Sequence, residues 1–257
     1  MPIESARPAF RSLTGSYWNR LPVLRVKVSV MNMISVPEVI ERLAAFYGEP
    51  DPPEGTDPWE MIVWENVAYL VDDDGRRKAM GSLRAKIGIR PEQIMAATSV
   101  QLLEAGVRGI VPEQSVKKLR GCAEVALHEF GGDLRPILKH PLAQAKKALK
   151  RFPSIGDPGA EKILLFCRAF PILALESNGL RVLVRLGYGE EKRNYATTYR
   201  LVQEAIEREL VQECSWLIKA HQLLRRHGQE LCRRSKPRCE NCPLLTECPW
   251  VIGHGDP

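Results

Sequence analysis

The sequence predicts an all-α protein, and three observations carry that prediction. Helix-start signatures recur along the chain. Apolar residues repeat at the 3.6-residue spacing of a buried helical face, clearest at Leu201, Ile206, Leu210, Trp216, Leu217 and Leu223. Gly- and Pro-rich breaks separate the periodic segments, as in Gly48-Glu-Pro-Asp-Pro-Pro-Glu-Gly55.

Taken in order, residues 1–34 form an extension of uncertain structure, within which Val23 to Val30 alternates well enough for a short strand. Ser35-Val-Pro-Glu38 reads as a capping box with an early proline and opens a helix through Tyr47. Asp57-Pro-Trp-Glu60 repeats the device and opens a second helix to about Val71. Short helices are expected over 91–97 and 99–105, and a longer one from Pro112 to Phe130 stops at Gly131-Gly132. Leu142 to Arg151 leads into a turn at Pro153–Gly156, and a helix from Gly159 to Phe170 follows. Further helices are expected near 178–186, 195–211 and 213–230.

The 257 residues suffice for one large or two modest domains. Lys plus Arg number 37 against 31 Asp plus Glu, a net charge of +6, which suits a polyanionic partner without requiring one. No apolar run approaches the roughly 18–20 residues of a membrane span, and no secretory signal is evident, so no membrane partner and a cytoplasmic location are expected. Of seven cysteines, Cys122, Cys167 and Cys214 sit singly in helical patterns and read as packing. The other four crowd together as Cys232-Arg-Arg-Ser-Lys-Pro-Arg-Cys239-Glu-Asn-Cys242-Pro-Leu-Leu-Thr-Glu-Cys248. An odd total argues against a disulfide framework, which leaves metal binding. The spacing C-x6-C-x2-C-x5-C has a single short knuckle, so zinc and an iron–sulfur cluster both compete, the longer gaps favouring the wider cluster.

The cysteine run follows Ala220-His-Gln-Leu-Leu-Arg-Arg-His-Gly228, and together these segments resemble the C-terminal end of the endonuclease III and adenine-DNA glycosylase families. In those families this spacing holds a [4Fe–4S] cluster, so the resemblance implies one on Cys232, Cys239, Cys242 and Cys248. Leu149 to Leu165 reads as helix, tight turn and helix. Its centre, Phe152-Pro-Ser-Ile-Gly156, resembles the family hairpin, with Ser154 where Gly is usual. The resemblance thereby implies phosphate contacts from Pro153, Ser154, Ile155, Gly156 and Gly159, with Gly156 supplying a positive φ or close approach. Arg233, Arg234, Lys236 and Arg238 in the first cysteine gap are expected to meet DNA phosphates, although a charge run by itself is usually a solvated loop.

Two residues beyond the turn, bifunctional members carry a lysine nucleophile. Pro158 stands there, which removes Schiff-base chemistry by that route, and Lys162, a turn further on, reads as a surface cation. Glu176 matches the family's essential aspartate and would stabilise an oxocarbenium ion, its duller reading being a helix start. Glu65 matches the glutamate that protonates the departing base in the adenine-DNA glycosylases, against the alternative of an ordinary amphipathic helix. Trp64 and Tyr69 flank it as candidates for lining a base pocket, although aromatics at this spacing are more often core.

The resemblance implies two helical domains with the DNA-binding cleft between them. One is a helical barrel over 56–165 that contains the helix–hairpin–helix motif. The other is an iron–sulfur domain of 35–55 plus 166–257. The expected activity is that of a monofunctional DNA glycosylase of base-excision repair, a monomer acting on double-stranded DNA with a modified or mismatched base, nucleoid-associated if bacterial. The alternatives are a non-catalytic iron–sulfur DNA-binding protein on the same scaffold and an iron–sulfur redox or sensor protein unrelated to DNA.

Overall fold

The computed structural model describes residues 33–51, 55–68, 73–109 and 111–254, with side chains as far as Val251. The Val23–Val30 stretch and Tyr69 lie outside the described residues. From Met33 onward the chain makes one contact unit.

Local chemistry sets most helix boundaries. Helix α1, Val36–Tyr47, starts where Ser35 Oγ accepts from the Glu38 amide at 3.4 Å, and it buries Val36, Val39, Ile40 and Leu43. Helix α2, Pro58–Val67, is capped by Asp57, whose carboxylate accepts from the Trp59 and Glu60 amides at 2.9 and 3.2 Å. Its buried residues (Trp59, Met61, Ile62, Val63, Asn66 and Val67) face nearly all directions, so α2 is a central helix. It ends short of the expected Val71, because Ala68 turns extended and makes an isolated parallel bridge with Arg108.

Helix α3, Asp73–Lys86, is a departure from expectation. Its sequence is dominated by charge and contains Gly75 and Gly81, and only Ala79, Met80 and Leu83 are buried, so its periodic signal is thin. Helices α4 (Pro91–Ala96) and α5 (Ser99–Glu104) follow, then α6 (Pro112–Phe130), which stops at Gly131 and Gly132 with φ of 61° and 81°. A 3-10 turn over Arg135–Lys139 leads to α7, Leu142–Leu149. Helix α8, Asp157–Phe166, begins two residues earlier and ends four residues earlier than expected. Helices α9 (Ser177–Arg185), α10 (Tyr195–Ile206), α11 (Cys214–Glu230) and α12 (Pro249–His254) complete the chain, the last unanticipated.

Packing sorts the helices into two groups. In the first, α6 lies against α2, α4 and α5, and α2 against α3. In the second, α11 lies against α9 and α1, and α10 against α9. Helix α8 contacts α2 and α7 on one side and α11 on the other.

The α9–α11 crossing is close because glycines line it. A methyl group on Gly228 would sit 2.5 Å from the Asn178 carbonyl oxygen, and one on Gly179 would sit 3.3 Å from Leu224 Cβ. Backbone cannot yield at the first contact, so Gly228→Ala is expected to destabilise the fold by about 1–3 kcal/mol. Gly81→Ala, in an open position on α3, should instead stabilise it by roughly 0.5–1 kcal/mol. Urea unfolding midpoints check both signs, and equal shifts would refute the close approach.

Candidate active site

The hairpin joins α7 to α8 and is anchored from below. Phe152 is buried and stacks on Phe130 with ring centroids 5.6 Å apart, while Ile155 is buried in the turn. The Pro153 carbonyl accepts from Asn66 Nδ2 of α2 at 3.3 Å. Above these anchors Ser154 and Gly156 are exposed. Contrary to expectation, Gly156 has φ of −96°, and the left-handed residue is Ser154, with φ of 68°. The position where the related hairpins carry Gly is therefore the strained one, and Gly156 serves as the helix-start residue. Gly159 is half-buried against Ile155. Asp157, at the start of α8, is paired with Lys150 at 2.8 Å and Lys146 at 3.4 Å, and the Lys150 hydrogen bond leads in holding its carboxyl below the usual range.

Where α8 meets α2, α3 and α11 there is a cleft of about 360 Å³, lined by residues that include Trp64, Asp73, Arg76, Lys162, Phe166, His221 and Arg225. Lys162 is not the surface cation its sequence context suggests. Its side chain is 15% exposed, and it makes an ion pair with Glu65. Burial works most strongly against a charged Glu65, but Lys162, Arg76 and Arg225 together outweigh it and hold the carboxyl below the ordinary glutamate value. Arg225 grips Asp73 with two hydrogen bonds, one of 2.7 Å. That contact leads in lowering the Asp73 carboxyl. Arg76 lies over the Trp64 ring, 5.6 Å from its centroid.

His221 is 4% exposed, and its ring meets Phe166 edge-on at 5.2 Å. Its Nδ1 lies 2.6 Å from the Ala174 carbonyl oxygen. A carbonyl only accepts, so Nδ1 carries the proton and Nε2 the lone pair. Burial, with Lys162 next, pushes the imidazolium down to about 3, so the ring is neutral.

Glu176 is the helix-start residue of α9. Its Oε1 accepts from the Asn178 and Gly179 amides, both at 2.8 Å, and its Oε2 accepts from Asn178 Nδ2 at 2.7 Å. These bonds fix the carboxylate, and its charge reaches Arg225, as do those of Glu65 and Asp73. Arg225 is thus the link between the two carboxylates singled out in the sequence. Glu65 reaches the cleft lining through Lys162, and Glu176 stands outside that lining.

The four clustered cysteines line one cavity together with Arg185, Leu186, His227, Leu231 and Leu244. Among the described residues no three His, Cys, Asp or Glu side chains are placed to hold a single metal ion. A shared apolar cavity ringed by four sulfurs fits a group wider than one ion. Donors are aimed at the sulfurs: Arg185 Nη1 lies 3.4 Å from Cys232 Sγ, and the Leu244 amide lies 3.4 Å from Cys242 Sγ. Burial pushes the Cys242 thiol up to about 12, so a thiolate there needs a cationic partner. Arg233, Arg234, Lys236 and Arg238 are all exposed on the loop.

Two arginines of α9 that sequence reasoning missed fasten this loop. Arg181 donates to the Cys232 carbonyl at 2.8 Å and the Gly228 carbonyl at 2.7 Å. Arg185 donates to the Arg233 carbonyl at 2.7 Å and lies over Trp250 at 4.4 Å. The one hint was a pair of arginines four residues apart among the apolar residues Leu180, Val182, Leu183 and Val184. Lys162, His221 and Arg225 were missed as cleft residues because their partners lie far away in sequence.

No protein-family model matches the chain. Endonuclease III of Rickettsia prowazekii (strain Madrid E) is 32% identical over 108 residues, which are 41% of this chain and 47% of that protein. The match thus spans about half of that relative's length. Thymine/uracil-DNA glycosylase of Pyrobaculum aerophilum is 26% identical over 204 residues, 77% of this chain and 83% of that one. The solved structure of a trapped endonuclease III–DNA covalent intermediate superposes with a TM-score of 0.65 at 16% identity, covering 86% of this chain and 99% of that one. The chain thus shares the fold of that endonuclease III structure, and its sequence is similar in part to those two enzymes. Within that fold, α7 and α8 form the hairpin pair.

The cleft also sets how the protein responds to acid. Lys162→Met removes the strongest attraction on Glu65 and leaves burial dominant, so the Glu65 carboxyl should rise; a carboxyl-carbon NMR titration reads this, and an unmoved value would contradict the pairing. Glu65 and Asp73 are depressed on folding, so their stabilisation is complete above the unfolded carboxylate range near pH 4 and is lost as pH falls through the folded values. His221 is depressed too, so its share is already lost between about pH 6.5 and pH 3, and His221→Phe should flatten the unfolding free energy over that interval.

Proposed function

We propose that the protein is a monofunctional DNA glycosylase of base-excision repair. The observation that carries this reading is the cleft in which the second hairpin helix brings Lys162 against Glu65, beside His221 and Arg225. In this reading the two packing groups are the two domains, and double-stranded DNA lies across them. Exposed Ser154 and Gly156, with Pro153, Ile155 and Gly159 shaping the turn, hold backbone phosphates. Arg233, Arg234, Lys236 and Arg238 hold the phosphates further along.

A modified or mismatched base leaves the stack and enters the cleft beside Trp64. As the N-glycosidic bond breaks, positive charge develops on the sugar, and the fixed Glu176 carboxylate stabilises it and orients the attacking water. Glu65 is ionised at rest, so the proton for the departing base sits on Lys162, and the two act as one proton-donating couple. Pro158 has no nucleophile to form a Schiff base, so the strand stays intact. Cys232, Cys239, Cys242 and Cys248 would hold a [4Fe–4S] cluster, whose part is to fold the cationic loop. The protein is taken to act as a monomer in the cytoplasm, at the nucleoid if the cell is bacterial.

A non-catalytic DNA-binding protein is the second reading, favoured by one observation: both Glu176 oxygens are already engaged in capping α9. Single-turnover incubation with duplexes bearing one modified or mismatched base each, with and without hot alkali, separates the two. Strand breaks after alkali alone, slowed roughly 10²-fold or more in Glu176→Gln, are expected. Breaks without alkali would overturn the monofunctional reading, and tight binding with no breaks would favour the second. Anaerobically purified protein should be brown with about four irons per chain, and Cys242→Ser should lose them; colourless, iron-free protein with an intact fold would refute the cluster.

A further inference from the structure

The neutral, nearly buried histidine of the cleft has one ring nitrogen committed and one not. The Ala174 carbonyl accepts a hydrogen bond from Nδ1–H and fixes both tautomer and ring orientation. Edge-on contact with Phe166 holds the ring from the side. His221 lines the cleft, and among the described residues nothing hydrogen-bonds its Nε2. Nε2 is not sealed from the cleft, so water can reach it in the free protein, and a ligand that displaces that water must supply the donor in its place. Next to it stands Lys162, whose ammonium offers donors beyond the one used by Glu65.

We infer that His221 is a specificity-determining residue, its Nε2 accepting a hydrogen bond from an N–H on the edge of the everted base. The substrate class is then a base that carries such a donor, an imide, lactam or exocyclic amine N–H, and not one whose donors have been replaced by methyl groups. Lys162, facing the same space, suits the carbonyl or ring-nitrogen acceptor that adjoins an N–H in such bases. The inference rests on the glycosylase reading, and it deepens that reading by naming what the pocket reads. Wrong bases are rejected because they leave Nε2 desolvated and unpaired.

The test is equilibrium binding, so that recognition is measured apart from bond cleavage. Duplexes carry uncleavable 2′-fluoroarabino nucleosides of uracil, hypoxanthine or adenine, each beside its counterpart with the N–H methylated: N3-methyluracil, N1-methylhypoxanthine and N6,N6-dimethyladenine. The full-length protein should prefer the N–H member of at least one pair by roughly tenfold, the worth of one neutral hydrogen bond. His221→Phe, which keeps the ring packing but cannot accept, should shrink that preference several-fold while binding undamaged duplex as before. In the wild-type protein the imidazole nitrogen spectrum gives an independent check. The Nε2 resonance should start as an unprotonated nitrogen and move upfield with the preferred duplex alone.

Equal binding within all three pairs would overturn the inference. So would a preference unchanged in His221→Phe, or an Nε2 that carries the proton in the free protein. Base release from the cleavable duplexes is scored separately. Release without N–H preference sinks this inference alone, and preference without release sinks the catalytic reading alone.

Discussion

Two adjacent residues of one helix, buried Glu161 and half-buried Lys162, are paired toward different neighbours, and the rest of the structure depends on the position this gives α8. Glu161, 6% exposed, accepts from Lys146 of α7, the Tyr199 hydroxyl and, at 3.2 Å, Gln203 of α10. Lys162 pairs with Glu65 of α2. Removing one partner of a buried pair typically costs about 3–5 kcal/mol, a large part of a domain's whole stability. Such a helix does not slide, so the exposed hairpin at its start and the cleft along its side keep a fixed separation. The exposed turn and the Lys162–Glu65 pair are then set by one rigid element.

Charge in the cleft is paired between helices, Lys162 with Glu65 and Arg225 with Asp73. Arg225 is half-buried beside Asp73, within reach of Glu65 and Glu176, and desolvation, which disfavours its charge, is outweighed by these acids. Glu65 is thus held ionised by cations from other helices, and Glu176 is fixed by bonds within the first turn of its own helix. A mutation at Arg225 would therefore unsettle Asp73, Glu65 and Glu176 together. The cysteine loop, which follows the C-terminus of α11, is held in the same way, with Arg181 and Arg185 tying its backbone carbonyls to α9.

Much of this was legible in the sequence because it is local. Ser35 and Asp57 announce the starts of α1 and α2 by side chains that reach their own helix's amides, and four cysteines within seventeen residues announce a shared centre. What stayed hidden depends on distance. Lys162 and Glu65 are 97 residues apart, and nothing near either names the other. His221 reads as one more residue on the apolar face of a long helix until the Ala174 carbonyl fixes its tautomer. Helix α3 escaped because charge and two glycines mask three buried residues, and Ser154 because a left-handed backbone at a non-glycine residue leaves no compositional trace.

A structure of the protein bound to a duplex carrying one uncleavable 2′-fluoroarabino nucleoside tests the central claim most directly, that the space beside α8 receives a base extruded from DNA. The account predicts that nucleoside rotated out of the helix, its base between Trp64, Lys162 and His221, with phosphates on the turn at Ser154–Gly156. A duplex bound across another face, or a base still stacked in the helix while the cleft stays filled by the Lys162–Glu65 pair, would contradict it.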